Sequence, residues 1–200
     1  MNEKFVINIG RQLGSGGRVI GEKLAAEFGI SFYDKELIQI ASKESGLGKE
    51  FFEKADEKES HSFFGGLLGL RTNVNSEIYT NNYLCNETFF KIQSDVIREL
   101  AEKESCVIVG RCADFILRDR TDCLNVFIHA ATDKKVERIV KLYGETADKP
   151  EKRLMDKDKK RRVNYRYYTD REWGASQNYH LCLDSGEFGI EKCAQIIDRK

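Results

Sequence analysis

Residues 5–29 read FVINIGRQLGSGGRVIGEKLAAEFG, from Phe5 to Gly29, and this stretch decides the fold. It opens on an apolar run, Phe5-Val6-Ile7-Asn8-Ile9, of the kind that fills a buried strand. A tight turn follows, carrying Gly10, Gly14, Gly16 and Gly17. Beyond it Ile20, Leu24 and Phe28 recur at helical spacing, and Gly29 is well placed to end the helix. A strand that turns through glycines into a helix leaves unpaired backbone N–H groups at the helix start. The helix dipole adds partial positive charge there, so the turn suits an anion such as a phosphate group. Arg11 and Arg18 flank it with full positive charges. The complete phosphate-loop pattern, GxxxxGK followed by Ser or Thr, is not met. Gly17 stands at the lysine position, Arg18 follows, and Val19 takes the hydroxyl position. A ligand-free glycine turn is the other reading; the glycines and the two arginines favour the phosphate site.

The chain has 200 residues, enough for one domain with a sizeable core. Its 33 Lys and Arg balance its 33 Asp and Glu, so no overall field marks it as a nucleic-acid or membrane binder. No apolar run reaches the ~20 residues of a membrane span, and the N-terminus leads straight into the first strand without a signal peptide. The cysteines, Cys85, Cys106, Cys112, Cys123, Cys182 and Cys193, show neither CxxC pairs nor metal-ligand spacing. They read as reduced thiols of a cytoplasmic protein.

Further along, Ile30-Ser31-Phe32-Tyr33-Asp34 predicts a short second strand with a carboxylate at its C-terminal end, the edge where ligands of open α/β sheets gather. Asp34 can equally cap the next helix, whose apolar positions are Leu37, Ile38 and Ala41. A charged helix is predicted over 46–59. Residues 60–82 mix apolar residues and glycines with a polar stretch of no clear period. They read as a flexible insertion on the substrate side, a homodimer contact or a plain surface loop. Phe89, Ile92, Val96, Ile97 and Leu100 predict a long amphipathic helix over 87–104. Cys106-Val107-Ile108-Val109 is apolar throughout, as a central parallel strand is. It ends in Gly110-Arg111-Cys112-Ala113-Asp114, which sets a guanidinium at the carboxyl edge of the sheet. There Arg111 either forks onto phosphate oxygens, with Asp114 orienting it, or forms a structural pair with Asp114.

Strands are also predicted at 123–130 and 179–184, with helices after each. The alternation of strands and helices implies a parallel sheet with helices on both faces. Residues 149–171 hold ten Lys or Arg against four Asp or Glu, interleaved with Tyr165, Tyr167 and Tyr168. This block is a solvated helix face, an RNA-binding helix, or a lid that brings cations to a polyphosphate.

The pieces GRQLGSGGRVIGEKLAAEFG, FYDKELI, CVIVGRCADFIL and DKDKKRRVNYRYYTDREWG together resemble the cytidylate kinase-like family, a divergent branch of the P-loop nucleoside monophosphate kinases. The resemblance implies an α/β, three-layer P-loop kinase-like fold: a five-stranded parallel sheet with helices on both faces and a helical lid. It implies one domain over 1–200, with the insertion at 60–82 and the lid at about 145–171. It implies ATP as donor with Mg2+, and a small-molecule acceptor, CMP or dCMP. By position, Gly14, Ser15, Gly16, Gly17 and Arg18 would cradle the donor phosphates, with Arg11 beside them and Ser15 as the candidate magnesium contact. Asp34 falls on the aspartate of a DxGxxYR motif whose glycine and arginine are here Glu36 and Ile40. Arg111 falls on the arginine of a GRD motif whose aspartate is here Cys112. Lys157, Arg161 and Arg162 lie in the region of the lid arginines. Arg11 or Arg18 would then replace the missing lysine. The rival functions are a nucleotide-binding regulator that has lost the chemistry, and an RNA binder using the basic block.

Overall fold

Strand β1 (Val6–Arg11) is the centre of a sheet whose other strands are β2 (Ser31–Tyr33), β3 (Cys106–Val109), β4 (Cys123–His129) and β5 (Leu181–Asp184). A computed structural model describes residues 4–34, 76–143 and 150–199, with side chains described in the middle stretch for residues 87–141. The strand order is β2-β3-β1-β4-β5 and every pairing is parallel. Val6 faces Cys106 on one side and Cys123 on the other, so β1 is hydrogen-bonded along both edges. Continuous apolar sequence is what such a strand requires, because neither of its faces meets water.

Helix α1 (Gly17–Phe28) and helix α6 (Ser185–Asp198) cover one face. Ile20 and Leu24 from α1 and Cys193, Ala194 and Ile197 from α6 meet Ile7, Ile9, Val107, Val109, Val126 and Ile128 in a single core. The alternate strand residues Val6, Asn8, Cys106, Ile108 and Phe127 face the other way and are also buried. The short helix α3 (Ala113–Ile116) lies against β1 there. Gly29 ends α1 in the left-handed conformation, its N–H reaching the carbonyls of Ala25 and Ala26, as its place in the sequence foretold. Asp184 caps α6 by accepting the amides of Gly186 and Glu187.

Contacts divide the chain into one unit of residues 1–35 and 100–200, which holds the sheet, and another of residues 36–99. The readings of a helix after Asp34, a helix over 46–59 and most of the insertion at 60–82 fall outside the described residues. The long amphipathic helix is real but longer than predicted: α2 runs Ser76–Lys103. Its first turns hold Asn, Thr and Ser, whose weak helical preference hid them from a propensity reading. Helix α4 (Thr132–Tyr143) follows β4. The basic block becomes helix α5 (Pro150–Thr169), with Leu154, Asp158, Tyr165 and Thr169 buried. No helix among the described residues is long and apolar enough to cross a membrane.

Candidate active site

Three chain segments meet at the carboxyl edge of the sheet beside the point where the strand order reverses, the crevice where open α/β folds bind ligands. The first is the loop after β1. Gly14 and Gly16 both take positive φ, 77° each, which a side chain would resist. No side chain caps α1 and no acid lies in its first turn. The opening amides of the helix are therefore left to a ligand or to water.

The loop is fastened from behind. Ser15 is fully buried and its hydroxyl donates to the Gln12 carbonyl at 2.9 Å. Arg138 donates to the Ser15 carbonyl at 3.1 Å and to the Ser185 hydroxyl at 2.9 Å. The Ser185 hydroxyl in turn donates to the Ser15 carbonyl. With the carbonyls of the loop held on that side, its shape is set before anything binds.

The second segment follows β3. Gly110, Arg111 and Cys112 have φ of 78°, 61° and 57°, three left-handed residues in succession. Two of them carry side chains, a conformation costing roughly 1–2 kcal/mol per residue. Strain of this kind persists where surrounding structure over-determines it, and such places cluster at functional sites. The Arg11 guanidinium packs so closely on Gly110 that any Cβ there would collide with its Nη1.

The third segment is α5. Polar contacts dock it onto the loop. Asp158 accepts the Leu13 amide at 2.8 Å, and Arg161 donates to the Arg11 carbonyl at 3.1 Å and to Asp158 at 3.2 Å. One turn further on, the Tyr165 hydroxyl donates to Asp114 at 2.6 Å. Trp173, just beyond the helix, stands edge-on to Phe127 of β4 with ring centres 5.2 Å apart.

Arg11, Arg111 and Arg161 thus converge from three segments. Burial lowers the pKa of each. Arg11 falls to about 9, first through desolvation and then through the charges of Arg161 and Arg111; Asp34 and Asp158 oppose the fall. All three guanidinium groups stay charged at neutral pH. Desolvation is the largest cause for all three, and like charges add to it for Arg11 and Arg111; a bound anion would offset both effects.

The other sequence candidates divide. Arg18 does not turn into the loop: it pairs with Asp34 at 3.0 Å and with Glu22 at 3.2 Å. Asp34 is buried at the end of β2. Asp114 faces Tyr165. Lys157 and Arg162 are exposed on α5, although Arg162 lines an open groove of about 440 Å3 with Gln12, His129 and Trp173. Asp158, Tyr165 and Arg138 were missed as site residues. The signal for α5 was there, because Leu154, Asp158, Arg161, Tyr165 and Thr169 recur at helical spacing. Polar residues form most of that stripe, so a search for apolar periodicity passes over it.

Burial raises the pKa of Asp114 above the ordinary carboxylate range, against the Tyr165 hydrogen bond, which lowers it. A raised carboxyl pKa means the folded state binds the proton more tightly than the unfolded chain. Stability from this group is complete below the unfolded pKa and is lost as pH rises through the folded one. Wild type should therefore gain stability relative to Asp114→Asn as pH falls from 7 toward about 4, the unfolded carboxyl value. Urea unfolding of both chains across that range checks this; a constant difference would contradict it. Tyr165→Phe, which strips the buried carboxyl of its donor, should cost about 1–3 kcal/mol at pH 7 in the same measurement.

With this geometry in hand, comparison with known proteins is informative. The family description "Cytidylate kinase-like family" matches residues 6–187. No curated protein matches the chain. Among solved structures, an uncharacterized protein from Eubacterium ventriosum is 27% identical, with a TM-score of 0.72, and the match covers 98% of this chain and 97% of that one. A shikimate kinase from Acinetobacter baumannii, solved with shikimate, is 17% identical with a TM-score of 0.52, covering 99% of this chain and 92% of that one. A shikimate kinase from Bacteroides thetaiotaomicron is 14% identical with a TM-score of 0.53, covering 98% and 97%. The last two likenesses show a shared P-loop kinase fold and no more. Since the family match runs from the first strand into the first turn of α6, and the fold is that of a P-loop kinase, the chain belongs to the cytidylate kinase-like family.

Proposed function

We propose that this protein is a cytoplasmic phosphotransferase that passes the γ-phosphoryl of ATP to a nucleoside monophosphate, CMP or dCMP, or to a similar small acceptor. The observation that carries this is the convergence of Arg11, Arg111 and Arg161 beside an uncapped helix start. Phosphoryl transfer asks little covalent chemistry of the protein. It needs donor and acceptor in line, and cations where charge spreads over the transferred group. The amides at the start of α1 hold the donor phosphates. Arg11 lies between the loop and Gly110, so it can span donor and acceptor. Arg111 takes the acceptor phosphate, and Arg161 closes over the transferred group from α5. No general base is required, because a monophosphate presents an ionised oxygen as nucleophile.

The missing lysine is answered by Arg11. A Cβ at Gly17 would lie 2.6 Å from the Arg11 Cβ and 3.1 Å from its Cγ. The space that a side chain at position 17 needs is already filled by the arginine stem. For ATP the loop fits. For a protein-bound magnesium it does not: the Ser15 hydroxyl is buried and committed to Gln12, and Val19 offers no oxygen. Among the described residues no cluster of His, Cys, Asp or Glu can hold a metal. Magnesium would come with the nucleotide, and no step of the proposed chemistry runs through a metal held by the protein.

The test is ADP formation from Mg·ATP with CMP, dCMP, UMP and AMP added in turn. One acceptor should raise the rate above the acceptor-free background. A flat response across the panel, with ATP still binding by calorimetry, would replace this proposal with the regulatory one. The exposed face of α5, with Lys152, Lys157, Lys159, Lys160 and Arg166, is read as a solvated face rather than an RNA site.

A further inference from the structure

Arg11 leans toward the β3 side of the loop, against Gly110, which leaves the β4 side without that cation. Lys135 stands there. It belongs to the first turn of α4, and only 8% of its surface is exposed. Its backbone and Cβ press on Gly14, where an added Cβ would lie 2.7 Å from the Lys135 carbonyl oxygen. Its ammonium donates to the Gln12 Oε1 atom at 3.1 Å, and that same oxygen accepts the Ala130 amide at 3.4 Å. None of the ion pairs among the described residues includes Lys135. A buried ammonium held by one neutral oxygen is an unfavourable arrangement unless an anion completes it. Two of its three donor positions remain for that anion.

We infer that Lys135 binds the phosphate chain of the donor nucleotide from the β4 side of the loop, a second replacement for the lysine that position 17 lacks. The inference rests on the donor-site reading given under Proposed function and adds a residue to it. Arg11 reaches the phosphoryl group on the acceptor side, and Lys135 grips the chain nearer the nucleoside. The loop is thereby served by cations from two elements outside α1. No local pattern hints at this, because Lys134-Lys135 look like any solvated pair at a helix start.

The test is calorimetric titration of wild type, Lys135→Met and Lys135→Arg with Mg·ATP and, separately, with adenosine. Lys135→Met should bind ATP about 10- to 100-fold more weakly, the effect of one charged hydrogen bond, and adenosine unchanged. Lys135→Arg should recover most of the ATP affinity. Where the methionine variant melts early, Lys135→Gln, which can still reach Gln12, should show the same split between ATP and adenosine. Equal weakening of both ligands would assign Lys135 a purely structural part and overturn the inference, as would no weakening of either. If wild type binds no ATP, the donor-site reading falls and Lys135 with it. If wild type binds ATP and Lys135→Met binds it equally well, only the inference falls.

Discussion

Arg111→Met should lower kcat/KM for the preferred acceptor by about 10²- to 10³-fold, the cost of removing one preorganised charge from a phosphoryl-transfer site. ATP affinity measured by calorimetry should change little, because Arg111 is assigned to the acceptor. The reason lies in its backbone. Residues 110–112 are held left-handed in succession at the end of strand β3. A chain bears that strain only where its neighbours fix it, and the outcome is a guanidinium set at the sheet edge. Desolvation lowers the pKa of Arg111 and the charge of Arg161 adds to the effect, while Cys112 and Asp34 oppose it. Arg111→Lys should fall between wild type and methionine, since an ammonium keeps the charge and loses the fork. A parallel loss of ATP binding in Arg111→Met would contradict the assignment, and so would undiminished turnover.

The second large effect runs against intuition. Gly17→Lys restores the residue that the phosphate-loop pattern calls for, yet it should reduce activity. The new Cβ would sit 2.6 Å from Arg11 Cβ and 3.4 Å from Ile128 Cβ, with β4 behind it. Overpacking of this kind costs roughly 1–3 kcal/mol of stability. Here it also displaces the arginine that the mechanism uses. The double variant Arg11→Gly with Gly17→Lys removes the Arg11 Cβ and clears the space, so it should be more active than Gly17→Lys alone. A double-mutant cycle in turnover and in unfolding free energy would record this coupling. A single Gly17→Lys chain more active than wild type would show that Arg11 does not stand in for the lysine.

Most of the sheet was legible because its strands are buried on both faces. Cys106-Val107-Ile108-Val109 has no polar residue to confuse the period, and the structure begins and ends β3 at those residues. Gly29 announced its cap by residue type alone, whereas the cap at Asp184 was not anticipated. The N-terminal half of α2 was not legible, because its Asn and Thr residues carry little helical preference of their own. The site was legible where glycines mark special backbone, in the loop after β1 and at Gly110. It was opaque where side chains from distant positions meet. Asp158 lies 145 positions from the Leu13 amide it accepts, and Arg161 lies 150 positions from the Arg11 carbonyl. Within α5 the helical spacing of Leu154, Asp158, Arg161, Tyr165 and Thr169 is the local mark of those two residues, and most of that stripe is polar. Arg18 misled for the opposite reason. It follows the loop directly, but the approach of β2 gives it Asp34 as a partner.

The central claim is that one site takes a donor and an acceptor nucleotide with their phosphates meeting among Arg11, Arg111 and Arg161. A ligand joining adenosine and cytidine through five phosphates tests it most directly by calorimetry. The account predicts one molecule bound per chain, about two orders of magnitude tighter than ATP alone, because the second half binds at high effective concentration. That advantage should vanish in Arg111→Met. Binding no tighter than ATP, or an advantage that survives the loss of Arg111, would contradict it.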